Sequence, residues 1–477
     1  MPWGDLGHVG PELALVVAAF AALLVDAWAT GSRLDAPRGP LGTWLALLGV
    51  LAALALNAAL PADPVAFGGM YVRDRLTQAI TLAALVSAGL GVLLAPSYLR
   101  RYRLPQGEYY ALVLFSAAGA ILMGASRNLV TLFLGLEILS FPLYTLAGLA
   151  ARSPRSQEAG LKYLLLGAFA TAFFVYGIAL VYGATGSLDL AQLQTAPLTV
   201  LLGMGIALLT IGLAFEAALV PFHAWAPDVY EGAPLPATAF MSVAAKVGAF
   251  GGLLRVFPLA LPHLSAAWVP VLAAIAMATM ILGNLAALFQ TNVKRLLAYS
   301  GIAHAGYLMI GVAAPADVGT PAVLYYLVVY AAMNLGAFGV LLLLERRGEE
   351  ADRLEDLVGL LWRAPWAGGV LVVCVISLAG LPPTAGFLAK LYLFRAALAG
   401  GQTALAIVAV LTSVVSVYYY FRIAYAACST GAPEGVSVRP SFPVGLALAV
   451  AASGVLWLGI FPSGLWDFVQ QAVLALR

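Results

Sequence analysis

The 477-residue chain is poor in cysteine, histidine, lysine and charge: it has two, four and four of those residues, and only 10% of its positions are charged. Each shortage excludes something. Cys374 and Cys428 stand alone in apolar segments, so neither a disulfide framework nor a cysteine metal site is available. No lysine follows a glycine, which removes the phosphate-cradling P-loop, and no His-Glu pair offers a zinc-protease helix. Nothing in the pattern resembles a nucleotide or redox-cofactor pocket. Soluble domains carry about 25% charged residues. A chain at 10% that is also 62% hydrophobic is a membrane protein, and its net charge of +2 implies no pull toward nucleic acid.

What the sequence does hold is apolar runs, each long enough for a helix of about 17 to 25 residues to cross a bilayer. Fourteen follow one another, at 11–29, 41–60, 75–95, 108–125, 128–150, 159–182, 198–220, 235–258, 268–290, 292–314, 320–345, 365–399, 403–427 and 441–462. The pattern is that of an all-α polytopic membrane protein. Ala27-Trp28-Ala29 mimics a signal-peptide cleavage site, but Asp5 and Glu12 precede the first run and no Lys or Arg does, so it reads as a retained helix. Loop Lys and Arg divide unequally between the two faces. One face takes fourteen, Lys294, Arg33 and Arg38 among them, and the other takes five, namely Arg73, Arg75, Arg127, Arg255 and Arg477. The richer face reads as cytoplasmic, which places both termini outside. The longest polar segment, ERRGEEADRLED from Glu345 to Asp356, reads as a solvated cytoplasmic loop.

The four lysines, Lys162, Lys246, Lys294 and Lys390, contrast with twenty arginines that crowd loops and helix ends. Lys162, Lys246 and Lys390 fall inside apolar runs. Arginine keeps its proton under all ordinary conditions, whereas desolvation can bring a lysine into exchange near neutral pH. A charged residue at mid-helix costs about 2.5 to 3.5 kcal/mol on insertion scales, so it persists where it is compensated or used. Lys162 follows Glu158 by four residues near a helix end and can pair locally. Lys246 and Lys390 have no acid within a helical turn.

Two acids also lie within runs, Glu137 in GLEILSFPLY and Glu216 in LAFEAALVPFHAW, each five residues before a proline. Pro142 and Pro221 free the carbonyls of Ile138 and Ala217, and unpaired backbone at membrane depth is tolerated only beside protein or a watery cavity. Of the histidines, His8 and His263 belong to loops, whereas His223 and His304 fall at or inside runs, where an imidazole suits proton transfer between lysines. VPFHAWAPDVYEGAPLPA after Glu216 and LAGLPPTAGF before Lys390 interrupt apolar helices in the two halves of the chain. Such a pair points to an inverted-repeat transporter with discontinuous helices.

The runs SRNLVTLFLGLEILSFPLY, EAGLKYLLLGAF, LVPFHAWAPDVYEGAP, NVKRLLAYSGIAHAGYLMIG and GLPPTAGFLAKLYLF carry a family likeness. Over nearly its whole length the sequence resembles the antiporter-like subunit N family of bacterial respiratory complex I, the NADH-quinone oxidoreductase. The subunit M family is similar in fold, but PDVYEGAP and a lysine on the second broken helix favour the N family. The subunit L family is disfavoured because Arg477 follows soon after the last run, without room for a long lateral helix.

The resemblance implies a three-helix segment at 1–107, a first antiporter-like repeat at 108–260 (helices 4 to 8), an inverted second repeat at 261–428 (helices 9 to 13), a C-terminal helix at 429–477, and discontinuous helices 7 and 12. It implies a proton-translocating membrane-arm subunit, multi-pass in the bacterial plasma (inner) membrane and driven by quinone reduction elsewhere in the complex. No flavin, iron–sulfur cluster, nicotinamide or metal is expected on this chain, which is an enzyme only as part of its complex. The partners implied are neighbouring antiporter-like subunits and the lateral helix of subunit L, with protons, internal water and lipid. The family's fifth-helix Glu matches Glu137, its sixth-helix Lys matches Lys162, its eighth-helix Lys matches Lys246, its tenth-helix His matches His304 and its twelfth-helix Lys matches Lys390. His223 matches the His at the break. One departure stands out: Glu216 occupies the place of the seventh-helix lysine that usually partners the fifth-helix Glu. Two carboxylates close together cannot both ionise cheaply, so Glu137 and Glu216 are expected to share a proton, with Lys162 or Lys246 pairing the ionised one. A subunit of a multi-subunit Na+/H+ antiporter, or a scaffold that transports nothing, would carry the same fold.

Overall fold

The computed structural model describes residues 3–30, 40–62 and 64–474; Arg33, Arg38 and Arg477 of the loop-charge count lie outside them. The chain is a helical bundle whose segments are α1 (Gly10–Thr30), α2 (Leu41–Ala59), α3 (Arg75–Leu94), α4 (Gln106–Ala125), α5 (Leu129–Ala147), α6 (Pro154–Thr185), α7 (Val200–Glu216), α8 (Leu235–Leu254), α9 (Ser265–Leu288), α10 (Val293–Ala313), α11 (Ala316–Leu341), α12 (Pro365–Ala379), α13 (Thr403–Cys428), α14 (Phe442–Ile460) and the terminal α15 (Ser463–Leu474). Among the described residues, twelve helices are long and apolar enough to cross a membrane, and α7 and α12 are the two shorter apolar ones. These account for the fourteen expected segments. Several helix starts are set by local chemistry. Asp74, Asn128, Ser153, Thr199 and Asn292 each precede a helix and accept a hydrogen bond from one of its first free backbone N–H groups.

Both interruptions read from the sequence are present. α7 stops at Glu216, Ala218 takes a left-handed conformation (φ 58°), and the chain becomes helical again at Trp225–Gly232 before α8. α12 stops at Gly380 (φ 84°), passes Pro382 and Pro383, and resumes as the half-helix Ala385–Ala399. Helices α8 and α11 are buried on every side and α10 nearly so, whereas α1, α2, α6, α9, α13 and α14 leave most of their apolar surface open. In a bilayer the second group faces lipid or neighbouring chains, and the first can carry charge only if protein satisfies it.

Two expectations are corrected. The segment Glu345 to Asp356 is not a solvated loop: Leu344–Arg346 pairs antiparallel with both Glu349–Glu350 and Val436–Val438, and Asp356 is buried. Polar composition suggested a solvated loop, and Glu349 and Glu355 are exposed, but Glu345 and Glu350 turn onto cations of other elements, Arg101, Arg439 and Lys294. Arg73 and Arg255, counted as loop charges, are also buried. The Arg255 guanidinium places Nη1 and Nη2 each 2.6 Å from the Asp74 carboxylate and donates from Nε to the Gly124 carbonyl, tying α8 to the start of α3 and the end of α4.

Burial works against charge on Asp74, yet the Arg255 guanidinium and the Thr77 donors hold its carboxyl below the ordinary carboxylate range. A lowered folded value means that the pair stabilises fully above the unfolded value of about 3.9 and loses its contribution as pH falls through the folded one. Replacing Arg255→Met leaves a buried carboxylate alone and is expected to cost about 3 to 5 kcal/mol. Thermal unfolding in detergent reads this as a lower midpoint above about pH 5, with the difference from wild type shrinking below about pH 4. The double variant Asp74→Asn/Arg255→Met recovers part of the loss.

Candidate proton-relay site

Four ionisable side chains lie buried along the middle of the bundle, Glu216, Lys246, His304 and Lys390, exposed by 1 to 3%. Glu216 ends α7 at the first break, where Ser140 of α5 donates to its Oε2 at 3.0 Å and its Oε1 has no partner among the described residues. One turn before Ser140, Glu137 is half-buried and accepts from Thr171 of α6 at 2.7 Å. The two acids are therefore held by different hydroxyls. Glu216 is close enough to feel the charges of both Glu137 and Lys246. Side chains satisfy two backbone groups at the break: Trp225 Nε1 donates to the Phe215 carbonyl at 3.0 Å, and the Val220 N–H donates to Thr279 Oγ1 at 3.0 Å. Backbone at membrane depth needs such partners within protein.

Lys246 sits on the inner helix α8. Its ammonium nitrogen donates to the Ser242 carbonyl at 3.1 Å and lies 6.0 and 5.8 Å from the ring centres of Tyr230 and Tyr330. Across Tyr330 stands His304 of α10, ring centres 5.1 Å apart. Its Nδ1 meets the Tyr326 hydroxyl at 2.5 Å and its Nε2 the Tyr420 hydroxyl at 2.9 Å, so each ring nitrogen faces a group that can give or take a proton. Tyr420 is in turn bonded to Ser300. One turn beyond His304 on the same helix, the Tyr307 ring lies 5.1 Å from Lys390 Nζ.

Lys390 belongs to the half-helix after the second break, and its ammonium answers a need on both sides. It donates to the Ala379 carbonyl at 2.8 Å, at the C-terminal end of α12, and to Ser413 Oγ of α13 at 2.9 Å. A helix C-terminus presents free carbonyls and partial negative charge, so the break supplies the counter-dipole that no local acid provides. The packing is close. A Cβ on Gly380 would lie 2.7 Å from Lys390 Cδ, and one on Gly386 would lie 1.9 Å from the Ser377 carbonyl oxygen.

Not every expected residue joins this row. The Lys162 side chain is 42% exposed and pairs with Glu158 at 2.7 Å and Asp228 at 3.0 Å. Asp228 also binds Arg295, so Lys162 belongs to an ionic cluster at the edge of the bundle, and of the two lysines expected to pair the ionised acid, Lys246 is the one within electrostatic reach of Glu216. His223 is half-buried within the break, with Nδ1 unbonded. Lys294, counted among loop charges, is instead fully buried, in the first turn of α10. Sequence reasoning also passed over the hydroxyls between the charges, those of Tyr230, Tyr307, Tyr326, Tyr330 and Tyr420. The signal was present in YYLVVY (Tyr325 to Tyr330) and VYYYF (Val417 to Phe421), tyrosines grouped inside apolar runs. Among the described residues no cluster of His, Cys, Asp and Glu could hold a metal ion. Chemically, the arrangement is a series of amines, imidazole, carboxylates and hydroxyls able to pass protons through an otherwise apolar core.

A sequence profile described as NADH:quinone oxidoreductase/Mrp antiporter, TM, matches residues 126–416. NADH-quinone oxidoreductase subunit N of Trichlorobacter lovleyi is 42% identical over 98% of this chain and 97% of its own length. The protein of the same name from Chloroflexus aggregans is 42% identical over 100% of this chain and 99% of its own. A chain of respiratory complex I from Thermus thermophilus, with aureothin bound to that complex, superposes with a TM-score of 0.82 at 38% identity, covering 96% of this chain and 98% of that one. A chain of the Mrp complex from Dietzia sp. superposes equally well, TM-score 0.82 over 98% of this chain and 97% of that one, but at 23% identity, a likeness of fold. Full-length identity above 40% and a shared fold place this chain in the NADH-quinone oxidoreductase subunit N family.

Proposed function

We propose that the chain is the proton-translocating membrane-arm subunit of an NADH:quinone oxidoreductase complex, moving protons along Glu137, Glu216, Lys246, His304 and Lys390. The observation that carries this reading is the burial of Lys246 and Lys390 in a helical core, with no acid among the described residues hydrogen-bonded to either. Lysines so placed are held by carbonyl and hydroxyl oxygens, which satisfy an ammonium without locking its proton into an ion pair. Protonation of one amine raises the electrostatic cost of protonating the next, and charge moves along the row in response. Lys162 and His223 lie off this row and serve it from the bundle edge and from the first break.

Residues 108–260 and 261–428 form the two inverted repeats, each with one broken helix, and the breaks admit the water through which protons enter and leave. The richer loop charge puts the cytoplasm on the side of Arg295 and Arg346, and both termini on the other. The redox chemistry takes place on other subunits, and this chain supplies none of its cofactors. Its apolar outer helices and the edge cluster around Lys162 and Asp228 fit neighbouring membrane subunits and the lateral helix of subunit L.

Membrane vesicles containing the assembled complex test the reading by recording NADH oxidation and proton uptake together. Lys390→Ala is expected to lower proton uptake about tenfold or more, with oxidation slowed alongside it. If oxidation and pumping persist while a sodium-driven proton exchange is lost, the chain is an antiporter subunit instead. Gly380→Ala keeps the amine but sets a Cβ 2.7 Å from Lys390 Cδ at a left-handed position. Moving the ammonium off the α12 carbonyl end is expected to slow proton uptake in the same direction, in complexes whose amount on native gels is unchanged.

A further inference from the structure

A second ionic cluster lies at the start of α8, away from the row. Glu350, on the short strand Glu349–Glu350, reaches in from the hairpin after α11. Its Oε2 accepts from Lys294 Nζ at 2.8 Å, and its Oε1 accepts from the Leu235 N–H at 3.3 Å and from the Tyr98 hydroxyl. The Glu350 side chain is 21% exposed and that of Lys294 only 2%, so the carboxylate stands at the boundary between water and the interior. Tyr102 also lies within electrostatic reach of Glu350, and in the same hairpin Glu345 pairs with Arg101 and Arg439.

A polar line runs inward from this boundary. Lys294 Nζ donates to the Ala233 carbonyl at 2.8 Å, and Thr238 Oγ1 approaches the same oxygen at 3.4 Å while donating to the Tyr230 carbonyl at 3.0 Å. Thr238, Ser242 and Lys246 then follow at four-residue spacing, one stripe on one face of a helix. α8 has no solvated face, so the stripe is not a surface. Asn334 of α11 donates to Ser242 Oγ at 2.6 Å, and Lys246 donates to the Ser242 carbonyl. The Tyr230 and Tyr330 hydroxyls and Asn334 Oδ1, all beside the stripe, are buried with no partner among the described residues. Buried polar atoms of this kind are where internal water is held. From Leu235 to Lys246 the stripe covers about 16 Å of helix.

We infer that Glu350 is the proton-loading group of the chain, feeding Lys246 through Lys294, Thr238 and Ser242. A proton taken from water converts the carboxylate to the acid and weakens its hold on Lys294. Passing that proton inward turns the Lys246 amine into ammonium and restores the carboxylate and its ion pair. This inference rests on the proton relay proposed above.

The test compares Glu350→Gln, Glu350→Asp and Lys246→Met in the assembled complex in membrane vesicles. Glutamine keeps one acceptor oxygen, enough for Leu235 and Tyr98, and loses the one that binds Lys294, so a merely fastening role shows as reduced assembly in Glu350→Gln, whereas a proton-loading role shows as lost uptake in complexes assembled in wild-type amount. The expected result is wild-type assembly with proton uptake about tenfold slower in Glu350→Gln, and recovery in Glu350→Asp with a displaced pH profile of uptake. Wild-type uptake in Glu350→Gln while Lys246→Met has lost it overturns the loading role and leaves the relay standing. Normal uptake in both overturns the relay itself. Should Glu350→Gln fail to assemble, an uptake pH profile in Glu350→Asp identical to that of wild type overturns the proposal.

Discussion

The constraint on which the rest of the structure depends is the cost of holding charge inside an apolar helical core. An ammonium or carboxylate there must find oxygen or nitrogen partners within protein, because lipid offers none. Lys390 meets this with the carbonyl end of a helix that stops in mid-bundle and a serine hydroxyl from the next helix. Lys246 meets it with a backbone carbonyl of its own helix and the faces of two tyrosines. The broken helices, the tyrosine groups and the glycine at the second break all follow from that requirement. A chain with continuous helices in these places would lack the free carbonyl that receives Lys390.

The buried acid Glu216 obeys the same logic. The two acids that the sequence places near one another are held by separate hydroxyls on two helices, and the buried one lies within the influence of Lys246. Lys162 is engaged by Asp228 on the half-helix Trp225–Gly232.

The spans were legible because length and apolarity are local properties. Both breaks were legible because proline and glycine act on the backbone within a few residues of themselves. Lys246 and Lys390 were legible because an isolated cation in an apolar run has no bland explanation. Lys294 was not, because its neighbours in sequence are polar and its acid partner lies 56 residues away in a segment whose composition reads as solvated. The buried Arg255 escaped for the same reason, its partner Asp74 being 181 residues distant. Tyrosines 326, 330 and 420 were hidden by their dual character, since a ring in an apolar run reads as packing until the hydroxyl's partner is known.

The central claim is that Lys246 and Lys390 belong to one continuous path. The most direct measurement is the number of protons moved per electron pair in vesicles bearing Lys246→Met, Lys390→Met and the two changes together. Groups acting in series give a double variant no worse than the more damaging single one. Losses that add, each lysine removing its own share, would contradict the account and make the two lysines parts of separate paths.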